Sequence, residues 1–151
     1  MQKEKVKKLA EALIKQYAPS NTIFRFDNAK SRLGVCKNRK SYFIIALSEA
    51  FIEQMTEEEV KNTILHEIAH ALTPYQNHNK IWKTIALAIG CDGEVAFKRH
   101  IEVKKKYRTI CPVCKKITYK HRKYDIACGD CCDKFNNGKY DAKYKLVFSK
   151  N

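Results

Sequence analysis

Three histidines and one glutamate form the most specific chemical pattern in the chain. His66 and His70 are four residues apart, and Glu67 directly follows the first of them. Residues four apart on an α-helix lie on the same face, so both imidazoles can reach one Zn²⁺. Glu67 would then lie beside the metal without binding it, where a carboxylate can take a proton from water and later deliver it. The spacing predicts a catalytic zinc site with Glu67 as general base.

This site needs a further ligand, because a catalytic zinc usually has three protein ligands and one open position. His78 is the best candidate, since Pro74 disfavours a continued helix and lets the chain turn back towards the metal. Glu94 is the second choice, and His100 and His121 are weaker ones. A His-Glu-x-x-His sequence also arises by chance on solvent-exposed helices. Here a capped helix start, a proline and a further histidine accompany it, which favours a real site.

Two short cysteine pairs form a second metal pattern. Cys111 and Cys114 make one C-x-x-C turn, and Cys128 and Cys131 make another after a gap of 13 residues. Four thiolates aimed at one ion form a closed structural Zn²⁺ site, which would stabilise a segment that has little core of its own. Cys132 could replace Cys131 as the fourth ligand. The gap favours a short hairpin over residues 116–124.

The positive charge of the chain is concentrated near its C-terminal end. Residues 104–151 carry 14 Lys and Arg against 4 Asp and Glu, a net charge of +10, whereas residues 1–103 carry 16 against 12. Such a segment favours a polyanionic partner, although a purely structural, solvated segment is the alternative. Its cations alternate with tyrosines, which suits single-stranded nucleic acid because bases stack on rings and phosphates meet cations. The predicted contacts are Lys115, Lys116, Tyr119, Lys120, Arg122, Lys123 and Tyr124.

The elements that must position these residues follow from the spacing of apolar residues. Helical periodicity covers residues 2–17, 56–72 and about 80–89, and the second helix starts with a capping box between Thr56 and Glu59. Residues 22–26 are typical of a strand, and residues 33–48 of a hairpin whose second strand is buried. The composition changes at residues 104–106. We therefore predict an α+β fold with two domains, residues 1–103 and residues 104–151.

Length and composition exclude several classes of protein. The chain has 151 residues, of which 44% are hydrophobic, as expected for a globular protein. It has no apolar stretch of the ~18–20 residues that span a bilayer, and its charged start does not resemble a secretory signal. An odd number of cysteines without such a signal favours reduced thiols, so Cys36 and Cys91 are expected to be ordinary buried residues. We expect a cytoplasmic monomer, associated with the nucleoid if it is bacterial or viral.

The run from His66 to Tyr75, continuing to His78 and to Trp82-Lys83, resembles the SprT-like zinc metalloproteases. This family includes the Spartan-type proteases, which digest proteins crosslinked to DNA. Residues 26–34 and 45–48 resemble the strands that precede its active helix, and the cysteine pairs resemble its C-terminal zinc ribbon.

The resemblance implies a small zincin-like peptidase domain followed by a basic Cys₄ ribbon that helps to bind DNA. It implies His66, His70 and His78 as ligands of a catalytic zinc, with Glu67 as general base. It also implies that a substrate strand adds to the edge of the sheet. A second, structural zinc would be held by the ribbon.

Three neighbouring residues have less certain roles. Asn79 stands where the family often has Gly; because Asn tolerates left-handed backbone, the turn is expected to survive. Trp82 is expected to pack beneath the site. Tyr75 could donate its hydroxyl to an oxyanion, but a structural role is favoured.

These observations predict a zinc-dependent, DNA-dependent endopeptidase that cleaves DNA-bound or DNA-crosslinked proteins. Its partners would be such proteins and single-stranded or otherwise unpaired DNA, and no membrane. The main alternative is a nucleic-acid-binding zinc protein without proteolytic activity. A zinc-dependent nuclease is less favoured, because the known three-histidine endoribonucleases have a shorter gap after the second His and lack the adjacent Glu.

Overall fold

The computed structural model describes residues 1–97, 101 and 103–151. The chain divides into two compact units, Met1–Glu102 and Val103–Asn151. Each unit combines helices with a short three-stranded sheet, which confirms the predicted α+β class. Within the described residues, no helix is both long and apolar enough to cross a bilayer.

The described residues of the first unit form four helices and three strands. They are α1 (Lys3–Tyr17), β1 (Thr22–Asp27), β2 (Gly34–Asn38), β3 (Phe43–Ser48), α2 (Glu49–Ile52), α3 (Glu57–Leu72) and α4 (Lys80–Ala88). All were predicted except α2, whose four residues are too few to show helical periodicity. Its first turn is capped by the Ser48 side chain, which accepts a hydrogen bond from the backbone N–H of Ala50.

The sheet of the first unit has the strand order β1-β3-β2. β3 lies in the centre, parallel to β1 and antiparallel to β2, so β2 forms one edge. The apolar run of β3 is buried on both faces, which is expected of a central strand. The edge strand β2 packs against α3, the helix that carries the histidine motif.

Helix α3 is fixed at both its start and its buried face. The Thr56 side chain accepts from the Glu59 N–H at 3.2 Å, and the Glu59 carboxylate accepts from the Thr56 N–H at 2.8 Å, which completes the predicted capping box. Apolar side chains at helical spacing bury the face towards the sheet and α1: Val60, Ile64, Leu65, Ile68 and Ala69. This packing sets the orientation of the polar turn that holds the motif.

The second unit is built around its cysteines. It contains β4 (Tyr107–Ile110), β5 (Ile117–Lys120), α5 (Gly129–Asn136), a 3₁₀ turn at Ala142–Tyr144, and β6 (Val147–Lys150). The sheet is antiparallel with the order β5-β4-β6. The core consists of small sulfur and apolar side chains from Cys111, Cys128, Cys131, Cys132, Tyr144 and Leu146.

The predicted hairpin over residues 116–124 is wrong. The observed hairpin consists of β4 and β5, and the turn from Cys111 to Cys114 lies in the connection between these strands. The Cys111 N–H donates to the Lys116 carbonyl at 3.0 Å, which closes the loop one residue before β5 begins. The sequence could not show this, because a strand partner upstream of the cysteines is a non-local contact.

Candidate functional site

The three predicted histidines lie together in the first unit. His66 and His70 are on successive turns of α3, and His78 is in the connection to α4. The Nε2 atom of His78 is 2.9 Å from that of His66 and 3.0 Å from that of His70. Three Nε2 atoms bound to a tetrahedral Zn²⁺ at ~2.05 Å would be ~3.3 Å apart, so the donor set fits after a small expansion.

Backbone carbonyls fix two of these rings. The His66 ring donates a hydrogen bond to the main-chain carbonyl of Glu94, and the His70 ring donates to that of Gln76. Since Nε2 of each ring faces the other histidines, the donor is Nδ1, which leaves the Nε2 lone pair free for a metal. Burial, followed by the other histidines, lowers the pKa of His66 to about 4, and burial lowers that of His70. Neutral imidazole, the form that binds metal, is therefore favoured.

The turn that brings His78 back differs from expectation. The left-handed residue is His78 itself (φ 34°), whereas Asn79 is extended (φ −79°). Asn79 instead caps α4, because its side-chain oxygen accepts from the Trp82 N–H at 3.1 Å. The turn survives, as expected, but His78 and not Asn79 supplies its left-handed backbone.

Trp82 forms the floor beneath the histidines. It is fully buried, and its ring centroid lies 4.7, 5.3 and 4.5 Å from those of His66, His70 and His78. The expected packing role is confirmed. A large ring in contact with all three imidazoles restricts their rotation and excludes water from one side of the group.

Glu67 lies between α3 and the edge strand, with only 7% of its surface exposed. Its carboxylate accepts a hydrogen bond from the Cys36 N–H of β2. Burial raises the pKa of Glu67 to about 7, although this hydrogen bond and the Arg32 charge act in the opposite direction. A carboxyl group with that pKa can both accept and release a proton near neutral pH.

The histidines and Glu67 open into a cavity of about 680 Å³. One wall is strand β2, where Gly34 approaches so closely that an added Cβ would lie 2.8 Å from the Glu67 Oε1 atom. Tyr75 is at the rim with a left-handed backbone (φ 68°), and 93% of it is exposed. The favoured structural role of Tyr75 as a packed residue is therefore wrong.

Two of the alternative zinc ligands, Glu94 and His121, are not part of the histidine group. The ligand atoms of the three histidines lie within 4.8 Å of one another. Neither the Glu94 carboxylate nor His121 belongs to this group. Glu94 contributes its main-chain carbonyl instead, a role that the sequence could not indicate because every residue has one. His100 lies outside the described residues.

The four cysteines of the second unit also converge. Cys111, Cys114, Cys128 and Cys131 place their sulfurs within 4.8 Å of one another, and Cys132 is not a member of the group. The Sγ atoms of Cys111 and Cys131 are 3.8 Å apart, and those of Cys114 and Cys128 are 3.7 Å apart. Tetrahedral Zn²⁺ with bonds of ~2.3 Å requires sulfurs ~3.8 Å apart, so the donor set fits a closed site.

The surroundings of these sulfurs shift the pKa values of their thiols in opposite directions. Although burial acts to raise the pKa of Cys111, hydrogen bonds from the Cys114 and Val113 N–H groups and from neighbouring thiols lower it to about 7. Burial raises the pKa of Cys128 and raises that of Cys131 to about 12, although both lie at the start of α5, where the helix dipole favours negative charge. Cys91 is buried as expected, whereas Cys36 is only partly buried and lines the cavity beside the histidines.

Two of the predicted nucleic-acid contacts, Tyr119 and Lys120, lie on opposite faces of the second sheet. Strand pairing places Tyr119 beside Arg108 on one face and Lys120 beside Tyr107 on the other, because directly opposed residues share a face. Lys116 forms an ion pair with Asp130 at 2.5 Å, and the Lys115 ammonium donates to the Pro112 carbonyl. Both lysines are exposed.

A cluster of cations and aromatic rings lies around Tyr107 and Tyr124. The Lys123 ammonium is 5.5 Å from the Tyr107 ring centroid, and the Arg122 guanidinium is 5.9 Å from that of Tyr124. Both rings also contact Phe148 of β6. Tyr107 and Phe148 were missed from the sequence, because they lie outside the basic run and join it only through strand pairing.

The sequence profile of the SprT-like family matches residues 3–107. The chain belongs to the SprT-like family. The match confirms the suspected resemblance, and it includes the three histidines, Glu67 and the whole cavity. Membership indicates a metalloprotease-like domain. No curated protein matches the chain significantly.

Proposed function

We propose that this SprT-like protein is a zinc-dependent endopeptidase of zincin-like architecture whose activity depends on DNA. The observation that carries the proposal is the convergence of three histidine Nε2 atoms beside a buried carboxylate in an open cavity. The Nε2 atom of His78 lies 2.9 Å from that of His66 and 3.0 Å from that of His70. When bound there, Zn²⁺ supplies a Lewis acid that polarises a peptide carbonyl and acidifies water.

In the proposed hydrolysis, Glu67 transfers the proton and strand β2 binds the substrate backbone. The Cys36 N–H holds the Glu67 carboxylate in one orientation, and burial keeps its pKa near neutrality. Glu67 accepts the proton of the water that attacks the peptide carbon and delivers it to the departing amine. Strand β2, at the edge of the sheet, offers backbone groups to which an extended substrate can add as a further strand.

The matched test compares two Glu→Gln variants of the same helix. The full chain, loaded with zinc, is incubated with a DNA-binding protein as substrate, with and without single-stranded DNA. Glu67→Gln should lose activity by about 10²–10⁴-fold, as expected for a general base. Glu58→Gln, at an exposed position of α3, should retain it. Equal cleavage by Glu67→Gln, or no cleavage by the wild type, would reject the peptidase proposal.

For the second unit we propose binding of single-stranded or unpaired DNA through the cluster of Tyr107, Arg122, Lys123 and Tyr124. The support is a net charge of +10, from 14 basic and 4 acidic residues, together with cations held over aromatic rings. Bases can stack on such rings while phosphates meet the cations. A DNA-held protease meets DNA-bound or crosslinked proteins at high effective concentration.

The two faces of the sheet offer an internal control for DNA binding. Tyr124→Ala should weaken the affinity for single-stranded DNA by about tenfold, the value of one stacked base. Lys123→Ala should reduce the steepness of the plot of log affinity against log salt concentration by about 1, the change expected for the loss of one phosphate contact. Tyr119→Ala, on the opposite face, should change neither quantity. Equal losses in Tyr119→Ala and Tyr124→Ala would refute this choice of face.

A further inference from the structure

Two exposed apolar side chains lie on the loops that orient the histidines. Tyr75 is adjacent to Gln76, whose carbonyl accepts from the His70 ring. Val95 is adjacent to Glu94, whose carbonyl accepts from the His66 ring. Both apolar residues line the same cavity as the histidines, and they are 93% and 59% exposed.

Neither side chain has a structural reason to be apolar. Exposed tyrosine and valine contribute little packing, and a tyrosine with φ of 68° also costs backbone strain. The neighbouring backbone holds this conformation: the Gln76 N–H donates to the Thr73 carbonyl at 3.1 Å. The Thr73 hydroxyl is in turn tied to the Ala69 carbonyl of α3 at 2.7 Å.

The second loop is fixed in a similar way. The Asp92 N–H donates to the Asn62 side chain of α3 at 2.9 Å, and the Glu94 N–H donates to the Asp92 carboxylate at 3.1 Å. Both loops are therefore anchored to the helix that carries the motif. Tyr75 and Val95 consequently lie at defined positions relative to the histidines.

We propose that Tyr75 and Val95 are specificity residues that clamp large apolar side chains of the substrate next to the scissile bond. This inference rests on the proposed peptidase function. The rest of the lining is mainly polar, and its large apolar residues, Leu33, Val35 and Phe97, are less exposed than Tyr75 and Val95. Apolar side chains of a bound polypeptide therefore gain most by covering the ring of Tyr75 and the methyl groups of Val95.

The test uses two fluorogenic peptides that differ only in the residues flanking the cleaved bond, Phe in one and Ser in the other. Tyr75→Ala and Val95→Ser should each raise KM for the Phe peptide by about tenfold, with kcat unchanged. KM for the Ser peptide should stay the same. Tyr75→Phe keeps the ring and should keep the low KM for the Phe peptide. Ile81→Ala, which removes a 58% exposed apolar side chain outside the cavity, is the matched control.

A second measurement does not need turnover. Binding of the Phe peptide to the Glu67→Gln chain is measured by fluorescence anisotropy. Adding Tyr75→Ala to this chain should raise the Kd about tenfold. Unchanged binding of the Phe peptide by the Tyr75→Ala variant, with peptide cleavage intact in the wild type, would overturn the clamp and leave the peptidase proposal standing. Binding that depends on Tyr75, in a wild-type chain that cleaves nothing, would support the clamp and reject the peptidase. Equal losses in Tyr75→Phe and Tyr75→Ala would overturn the clamp in favour of a role for the hydroxyl group.

Discussion

Gly34→Ala tests the close approach of the edge strand to the proposed general base. An added Cβ would lie 2.8 Å from the Glu67 Oε1 atom, 3.0 Å from its Cγ atom and 3.1 Å from the Thr63 Cγ2 atom. The carboxylate must move by about 0.6 Å to restore an ordinary contact of about 3.4 Å. Thr63 and Glu67 are both buried and both line the cavity, so the added methyl group would push the Glu67 carboxylate away from β2.

The displacement can be converted into a rate. A misplacement of ~1 Å costs about 10²-fold in a positioned reaction, so a shift of ~0.6 Å should lower kcat roughly 15-fold. The same crowding should destabilise the fold by about 1–3 kcal/mol, the usual cost of an extra methyl group in a packed site. The loss of rate should appear in kcat rather than KM, because the base acts on the water and not on the bound peptide.

The assay measures peptide hydrolysis, bound zinc and thermal unfolding for Gly34→Ala. Gly129→Ala is the control, because nothing lies within 4 Å of the Cβ added there. It should retain wild-type hydrolysis. A Gly34→Ala enzyme with unchanged kcat, at full zinc content and temperatures well below unfolding, would refute the placement of Glu67 against strand β2.

Further predictions concern the metal sites and the fold. Trp82 is the single tryptophan of the chain, and its ring contacts all three histidines. Co²⁺ bound to these histidines should therefore quench its fluorescence, and a chelator should restore it. Unchanged emission on Co²⁺ binding would contradict this contact. Cys128→Ser should remove one zinc per chain and broaden the NMR signals of residues 103–151, because four cysteines make up most of the core of that unit; sharp signals would refute it. Thr56→Ala should cost about 1 kcal/mol by removing the cap of α3, measured by denaturant unfolding; no loss of stability would count against that cap.

The last prediction in this group concerns acid. Burial acts to raise the pKa of Asp27, but hydrogen bonds from Arg32 and from the Ala29 N–H lower it below the ordinary 3.8. Its stabilisation is therefore present above pH ~3.8 and is lost as the pH falls through the folded pKa. Asp27→Asn should unfold at a lower temperature than the wild type at pH 7, and the difference should shrink below pH 4; a constant difference would contradict it.

Local spacing was enough to predict the parts of the site that a single element carries. The four-residue spacing of His66 and His70 puts them on one helical face whatever surrounds the helix, and the capping box of Thr56 is equally local. Each C-x-x-C pair lies within one turn for the same reason. The apolar periodicity of α1, α3 and α4 likewise follows from the period of the helix alone.

The tertiary structure decided the contacts that join distant segments. His66 donates a hydrogen bond to the Glu94 carbonyl, and Glu67 accepts one from the Cys36 N–H. Both partners are backbone groups, which every residue has, apart from the N–H that proline lacks. Sequence therefore cannot mark them. The exclusion of Cys132 from the sulfur group depends on how α5 faces β4, and the separation of Tyr119 from Lys120 depends on strand register. Packing and register are set by the whole chain, because each buried face must find its partner far along the sequence.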